Sequence, residues 1–250
     1  MKQLKRALVT GGSGGIGAAV CRLLARDGHL VYVHGYRDPG AAEALAQEIR
    51  AAGGQAQAII FDITDNSSAR AALETVLQEG AVQVLVNNAG IHDDAIMPAM
   101  SPPQWSRVID VTLNGFFNVT QPLLMPMIRT RWGRIVNVSS VAALMGNKGQ
   151  VNYAAAKGAL LSATKSLALE VATRGITVNA VAPGIIATRM SAGLFDAQAI
   201  ERLVPMNRAG QPEEVASLIG FLVSEAASYL TAQTISVSGG MSLASPRLTP

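Results

Sequence analysis

The chain has 250 residues, 49% of them hydrophobic and 15% charged, which suits one large or two small globular domains and argues against disorder. Its net charge is only +3, and no basic run exceeds two residues, so the composition does not indicate nucleic-acid binding. A single cysteine (Cys21) excludes an intramolecular disulfide, and three scattered histidines predict no metal site. The lack of a signal peptide or an apolar stretch of about 20 residues predicts a cytoplasmic protein outside the membrane.

The chain begins with a pattern that is typical of phosphate binding. The apolar run Arg6–Thr10 predicts a buried parallel strand, residues 10–17 read TGGSGGIG, and a helical pattern runs from Ala18 to Asp27. Glycines allow a pyrophosphate to approach the backbone, and a helix N-terminus offers unpaired N–H groups. Although glycines also make plain turns, the strand–loop–helix order favours a dinucleotide-binding site.

The end of the second predicted strand, His29–Gly35, bears on the choice of cofactor. Tyr36 and Arg37 follow it, and the first acidic residue is Asp38. A carboxylate at this point selects NAD by binding the ribose 2′-OH, whereas a cation accommodates the 2′-phosphate of NADP. Arg37 therefore favours NADPH, the alternative being an arginine that is merely solvated.

Polar residues follow the next two predicted strands. Asp62 comes after the third strand, Gln55–Phe61, where it could bind an adenine amino group or serve the turn before a helix that starts near Asn66. The fourth strand, Val82–Val86, leads into the NNAG sequence at 87–90. Small and polar residues at a strand's carboxyl end suit contact with a flat ligand.

The remaining elements continue the alternation of strands and helices. They are a helical region from Ser101 to about Arg131, a strand at Arg134–Ser139, a helix from about Val151 to Arg174, a strand at Gly175–Val181, a possible substrate lid at 185–210, a helix from Pro212, a strand at Thr234–Val237 and a tail at 242–250. This order predicts a single α/β domain over 1–250, built on one doubly wound (Rossmann) seven-stranded parallel sheet with helices on both faces.

Tyr153 and Lys157 are the residues with the clearest potential for catalysis. At a spacing of four on a helix they share one face. A lysine charge roughly 6 Å from the phenol, at an effective dielectric of about 20, is worth about 3 kcal/mol and would lower the tyrosine pKa. Taken alone, the pair could equally be two side chains that share a surface.

Five motifs in one order carry a resemblance to a known family. They are TGGSGGIG, an aspartate after the third strand, NNAG, a serine thirteen residues before a tyrosine, and YAAAK. Residues 4–242 resemble the short-chain dehydrogenase/reductase family. The phrases NVSS, GNKGQVNYAAAKGAL, RGITVNAVAPG and SVSGGM look like those of its bacterial 3-oxoacyl-[acyl-carrier-protein] reductases and the similar acetoacetyl-CoA reductases.

The resemblance implies a role for each matching position. Tyr153 would donate the proton, Ser140 would hold the substrate carbonyl, and Lys157 would bind the nicotinamide ribose and lower the tyrosine pKa. The other cofactor contacts would come from Gly11, Gly12, Ser13, Gly14, Ile16, Arg37, Asp62, Ile63, Asn88, Ala89, Gly90, Ile186 and Thr188.

The chain departs from the family pattern at two places. Thr112 occupies the position of the usual catalytic asparagine, and Asn114, two residues later, would point elsewhere on a helix. A threonine hydroxyl can still donate one hydrogen bond, so we expect a working but slower proton relay. Gly14 stands where NADPH-preferring members often carry a basic residue, which weakens the NADPH prediction.

The function implied by the resemblance is NADPH-dependent reduction of a 3-oxoacyl thioester on acyl carrier protein, in fatty-acid or related polyene or polyketide synthesis. The alternatives are a reductase of acetoacetyl-CoA or another small ketone, and a non-catalytic dinucleotide-binding partner subunit. Arg131 and Arg174 match carrier-docking positions, although arginines also cap helix C-termini. A homotetramer is implied through the helix containing Asn114–Ile128 and the YAAAK helix.

Overall fold

The computed structural model describes residues 4–243, in which strands and helices alternate. The strands are β1 (Arg6–Val9), β2 (Leu30–Gly35), β3 (Gln55–Ile60), β4 (Val84–Asn87), β5 (Gly133–Val138), β6 (Ile176–Pro183) and β7 (Thr234–Val237). The helices are α1 (Gly15–Arg26), α2 (Pro39–Ala51), α3 (Asn66–Gln78), α4 (Pro102–Ile109), α5 (Gly115–Thr130), α6 (Ala142–Met145), α7 (Val151–Val171), α8 (Ala197–Leu203) and α9 (Pro212–Val223). None of the helices within 4–243 is long and apolar enough to cross a membrane.

One parallel sheet joins strands from both ends of the described chain. The seven strands lie in the order β3-β2-β1-β4-β5-β6-β7, and each neighbouring pair is parallel. The chain crosses from one outer strand, β3, to the middle of the sheet at β4, so the winding direction reverses between β1 and β4. The predicted doubly wound fold is confirmed, and its ligand crevice is expected at the carboxyl ends of these two strands.

Helices cover both faces of the sheet, which explains why most strands are apolar along their whole length. β2, β4, β5 and β6 are buried at every position. On one face, Val20 and Leu24 of α1 pack with Ile219 of α9. On the other face, Leu73 of α3 and Leu123 of α5 belong to a second buried cluster. Strands buried on both sides lose the alternation of polar and apolar residues, as seen here.

The structure divides the helical region that was predicted from Ser101 to Arg131. α4 and α5 are separated by a π-helical turn at Asp110–Asn114. A π turn inserts one extra residue without interrupting the helical run, so hydrophobic periodicity does not reveal it. The predicted end of the YAAAK helix also shifts, because α7 stops at Val171 and a 3₁₀ turn continues to Arg174.

The segment predicted as a substrate lid has its two ends fixed to each other. The backbone of Ile186 pairs with that of Gly210, and the N–H of Gly210 donates to the carbonyl of Ile185 at 2.9 Å. Between these ends the segment carries α8. Of the predicted tail, 244–250 lie outside the described residues.

Candidate active site

A large cleft lies at the carboxyl edge of the sheet, with a volume of about 1690 Å³. Its walls come from the segments that follow β1 to β6 and from the predicted lid. Most predicted site residues line it, namely Gly11, Ser13, Gly14, Ile16, Arg37, Asp62, Ile63, Asn88, Ala89, Gly90, Ser140, Tyr153, Lys157, Ile186 and Thr188. Gly12, Thr112, Arg131 and Arg174 are not among the lining residues.

The glycine loop divides its residues between the cleft and the core. An added Cβ at Gly14 would meet nothing closer than 4.0 Å, so this part of the loop is open to a ligand. At Gly17 the same atom would lie 2.2 Å from the Gly11 carbonyl oxygen, so close packing of α1 against the loop requires glycine. The start of α1 therefore presents unpaired backbone N–H groups to the cleft, which fits a pyrophosphate.

Gly12 was predicted to lie beside the pyrophosphate, but the structure places it against the core. Its N–H donates to the carbonyl of His34 at 2.8 Å. A Cβ at this position would lie 2.9 Å from the Val9 carbonyl oxygen and 3.1 Å from the Cys21 sulfur. Gly12 thus packs into the core because the loop must pass close to the ends of β1 and β2.

A threonine that sequence reasoning missed fastens the glycine loop to the NNAG segment. The Thr10 hydroxyl accepts from the backbone N–H of Asn88 at 2.9 Å and of Ala89 at 3.0 Å. In return, the Asn88 amide donates to the carbonyls of Thr10 at 2.9 Å and Gly11 at 3.0 Å. The signal was a hydroxyl at the end of an otherwise apolar strand.

The two charged residues that follow β2, Arg37 and Asp38, differ in their contacts. Arg37 is exposed and lines the cleft. The Asp38 carboxylate accepts from the Ala41 N–H at 3.0 Å and caps the N-terminus of α2. One carboxylate oxygen of Asp38 thus serves the backbone of its own helix, and the cap fixes the position of this carboxylate, although the residue also lines the cleft.

At the end of β3, Asp62 stabilises a turn and also lines the cleft. One carboxylate oxygen accepts from the Thr64 backbone N–H at 2.8 Å and from its hydroxyl at 2.7 Å, so Asp62 does stabilise the turn before α3. The residue also lines the cleft. Ile63 is buried beside it, and its carbonyl accepts from the Asn118 amide at 3.0 Å.

Ser140, Tyr153 and Lys157 meet where β5 and α7 approach each other. Ser140 follows the end of β5, and the helix places the other two on one face, with the lysine ammonium 5.8 Å from the centre of the phenol ring. Lys157 is 97% shielded from solvent and donates to the Val138 carbonyl at 2.8 Å. The spacing predicted a distance of roughly 6 Å, as expected for neighbours on a helix.

The pKa of Tyr153 is shifted upward, opposite to the predicted direction. Burial raises this pKa above its usual value, the Ser140 hydroxyl lowers it by hydrogen bonding, and the charge of Asp94 raises it again. Burial also lowers the pKa of Lys157 to about 8. The predicted lowering of the phenol pKa by Lys157 is therefore wrong for these side chains, because desolvation has the larger effect on both groups.

Thr112 lies in the π turn and is buried, with no hydrogen-bond partner for its hydroxyl within the described residues. Asn114 does point elsewhere, since its amide donates to the Asp110 carboxylate at 2.7 Å on the exposed side. The position of the usual asparagine is thus occupied by a hydroxyl that lacks a partner.

Two further polar residues near Tyr153 were not anticipated. Asp94 lines the cleft and accepts from the Gln150 amide at 2.9 Å. The His92 ring lies 3.2 Å from the other carboxylate oxygen of Asp94. They come from a loop without periodicity, so their place beside Tyr153 depends on tertiary structure alone.

Arg131 and Arg174 lie together, but far from the cleft. Arg131 follows α5, Arg174 ends the turn after α7, and a guanidinium nitrogen of Arg131 donates to the Thr173 carbonyl at 3.4 Å. Arg131 precedes β5 and Arg174 precedes β6, so both lie at the amino edge of the sheet, whereas Ser140 follows β5 at the carboxyl edge. The six residues of β5 separate these edges by about 20 Å, given about 3.3 Å per residue.

Comparison with known proteins agrees with this geometry. The family described as short chain dehydrogenase matches residues 5–199. The chain belongs to the short chain dehydrogenase family. It is therefore an oxidoreductase that uses a nicotinamide dinucleotide, and the open loop at Gly14 together with the N-terminus of α1 fits such a cofactor.

Several family members with assigned names are similar over nearly the whole chain. The 3-oxoacyl-[acyl-carrier-protein] reductase FabG of Staphylococcus aureus strain Mu50 is 44% identical over 244 residues, covering 96% of this chain and 99% of the relative. The 3-oxoacyl-[acyl-carrier-protein] reductase of Synechocystis sp. is 45% identical over 237 residues, with 94% and 96% coverage. The FabG of Pseudomonas aeruginosa is 43% identical over 242 residues, with 96% and 98% coverage.

Proposed function

We propose that this short chain dehydrogenase uses NADPH to reduce a 3-oxoacyl thioester, carried by acyl carrier protein, to the 3-hydroxyacyl form in fatty-acid or related polyene or polyketide synthesis. The observation that carries the proposal is the meeting of Ser140, Tyr153 and Lys157 in the cleft. The names of the relatives support the substrate class.

The side chains divide the work of ketone reduction. A nicotinamide held beside Tyr153 and Lys157 would supply the hydride that the ketone carbon accepts. Ser140 and Tyr153 donate hydrogen bonds to the ketone oxygen as negative charge grows there, and Tyr153 passes its proton to that oxygen. A raised pKa keeps the phenol protonated at neutral pH. Lys157 retains its proton below pH 8 and supplies positive charge beside the phenol.

The predicted lid gives the cleft an apolar wall that suits an acyl chain. Met190, Leu194, Phe195 and Leu203 of this segment line the cleft together with Met145 from α6. Thioether and hydrocarbon groups bind an aliphatic chain by burying apolar surface. The reacting ketone would then lie between this wall and Tyr153.

The carrier protein and the oligomer form one linked proposal. Carrier proteins are acidic, so Arg131 and Arg174 provide a complementary edge. Because this edge lies about 20 Å from the carboxyl edge of the same sheet, a docked carrier is better placed to serve the cleft of a neighbouring copy. Phe117 and Met125 on α5 and Leu169 on α7 are exposed, which supports a homotetramer that buries these helices. A cytoplasmic location stays a prediction from the sequence.

A substrate panel tests the proposed function. Steady-state reduction with NADPH is measured on acetoacetyl groups bound to carrier protein, on acetoacetyl-CoA and on free ketones. We expect the highest kcat/KM with the carrier-bound thioester, and we expect Arg131→Glu/Arg174→Glu to lower only that value. Activity confined to free ketones would reject the proposed substrate class. Equal rates on the two thioesters, with no effect of the double substitution on either, would favour acetoacetyl-CoA as the substrate.

Cofactor selectivity should depend on Arg37. Replacing it with alanine removes the cation that faces the cleft while Asp38 keeps its capping role. A charge-assisted contact is worth about 1.5–3 kcal/mol, so the KM for NADPH should rise about 10- to 100-fold and the KM for NADH should stay within about 2-fold. Arg26→Ala, on the exposed end of α1, is the control. A parallel loss for both cofactors would contradict the assignment.

Thr112 offers a test of the unusual proton relay. Thr112→Ala removes a buried hydroxyl that has no partner among the described residues. Because we infer that this hydroxyl donates one hydrogen bond to the relay, kcat should fall by about 3- to 10-fold. Thr112→Asn restores the usual family residue and should raise kcat above that of the unchanged enzyme. Reduction is followed by the loss of NADPH absorbance at several pH values. No change in either variant would exclude Thr112 from the reaction and leave its role structural.

A further inference from the structure

His34 is a buried histidine whose two ring nitrogens are both engaged. Nδ1 accepts from the backbone N–H of Gly11 at 3.0 Å, and Nε2 lies 3.1 Å from the carbonyl oxygen of Phe61. The imidazole also packs on the Phe61 ring, with 4.2 Å between ring centres. The side chain is 3% exposed and borders the cleft.

These contacts define one protonation state of the ring. An N–H donor at Gly11 requires an unprotonated Nδ1, and a carbonyl acceptor at Phe61 requires a protonated Nε2. Burial lowers the pKa of His34 to about 4, although Asp62 and the Phe61 carbonyl act in the opposite direction. The ring is therefore neutral at ordinary pH and holds the tautomer that both partners need.

The contacts also connect two separate parts of the cleft wall. Gly11 begins the glycine loop with a φ of +60°, and the next N–H, that of Gly12, donates to the carbonyl of His34 itself. Phe61 directly precedes Asp62 at the end of β3. One residue at the end of β2 thus fixes the glycine loop on one side and the end of β3 on the other.

The first two N–H groups of the loop are consequently unavailable to a ligand. The N–H of Gly14 donates to the Gly11 carbonyl at 3.4 Å. The N–H groups left for a ligand are those of the first turn of α1, which has no intrahelical acceptors. Their direction depends on the path of the loop, and His34 fixes where that path begins. A small rotation at Gly11 would move every N–H group that follows.

We propose that His34 is a positioning residue for the dinucleotide, which holds Gly11 and Gly12 so that the N–H groups at the start of α1 face the pyrophosphate. The inference rests on dinucleotide binding by the family and is independent of the acyl substrate. It differs from the role of Arg37, because the pyrophosphate is common to NADPH and NADH whereas the 2′-phosphate is not.

The test compares direct binding of NADPH and NADH to the full chain by calorimetry, without substrate. His34→Phe keeps a ring against Phe61 and removes both nitrogens, and His34→Asn restores an amide oxygen near the position of Nδ1, where it can accept from the Gly11 N–H. Tyr32→Phe is the matched control: it lies on the same strand and loses a side-chain hydrogen bond, to Glu79 at 2.9 Å. Loss of the bond from the Gly11 N–H, the one that holds the glycine loop, predicts a Kd about 3- to 10-fold higher for both cofactors in His34→Phe.

Several outcomes decide the proposal. It is supported if the affinities for NADPH and NADH fall by the same factor in His34→Phe, if His34→Asn recovers at least half of the loss, and if Tyr32→Phe binds both cofactors as before. An unchanged Kd in a folded His34→Phe protein overturns it, even if the melting temperature falls, since that result describes a purely structural role. If His34→Phe does not fold, His34→Gln replaces it, because its amide reaches the position of Nε2, can donate to the Phe61 carbonyl and leaves the Gly11 N–H without its acceptor.

Discussion

Tyr153→Phe is expected to lower kcat/KM for ketone reduction by about 10²- to 10⁴-fold, the usual range for loss of a general acid. The substitution keeps the ring against Lys157 and removes only the hydroxyl that faces Ser140. Because the ring and the cleft wall remain, the Kd for NADPH should change by no more than about 2-fold. Steady-state rates and calorimetric titration of the purified variant measure the two quantities.

Tyr229→Phe provides the control for this experiment, since Tyr229 is fully exposed to solvent. It should leave both the rate and the cofactor affinity unchanged. NADPH oxidation that continues at the original rate in Tyr153→Phe would remove Tyr153 from the role of proton donor. A loss of NADPH binding equal to the loss of rate would instead assign the residue to cofactor binding.

Lys157→Met should abolish most activity and yet make the folded chain more stable near pH 7. The buried ammonium has its pKa lowered from 10.5 to about 8, so keeping it charged costs the folded state about 3 kcal/mol. Loss of its hydrogen bond to the Val138 carbonyl offsets about 1–2 kcal/mol of the gain. We expect the melting temperature to rise by about 2–6 °C, measured at one protein concentration.

The pH dependence of the stability difference between Lys157→Met and the unchanged protein tests whether the buried charge is its cause. Above pH 8 the folded chain releases the Lys157 proton while the unfolded chain keeps it up to about pH 10.5, so the stability of the unchanged protein rises relative to the variant over this interval. The advantage of Lys157→Met should therefore shrink between pH 7 and pH 9.5 in denaturant titrations. Lys165→Met, at an exposed position of the same helix, is the control for the loss of a lysine from α7. A variant less stable than the parent at pH 7 would contradict the explanation.

The fold and the placement of Lys157 beside Tyr153 were predictable because both depend on short-range patterns. Apolar runs that end in glycine or polar residues define the parallel strands, and a spacing of four on a helix brings Lys157 to Tyr153 whatever surrounds them. The geometry of the pair follows from α7 alone. The same sequence information could not give the pKa of Tyr153, because its direction depends on burial by distant segments and on Asp94.

Contacts between separate loops account for the features that sequence reasoning missed. The Thr10 hydroxyl serves Asn88 and Ala89, which lie almost eighty residues away. His34 was considered only as one of three histidines without metal-ligand spacing, although its ring joins the glycine loop to the end of β3. Such bonds leave no period in the sequence, since each depends on which strands become neighbours in the sheet.

The capping role of Asp38 has a consequence for how cofactor preference can change in evolution or by engineering. A carboxylate already stands one residue beyond Arg37, but diverting it to a ribose hydroxyl would leave the first turn of α2 uncapped, at a cost of about 0.5–2 kcal/mol. Mutational routes toward NADH should therefore introduce a new acidic side chain at position 37 and leave its neighbour in place.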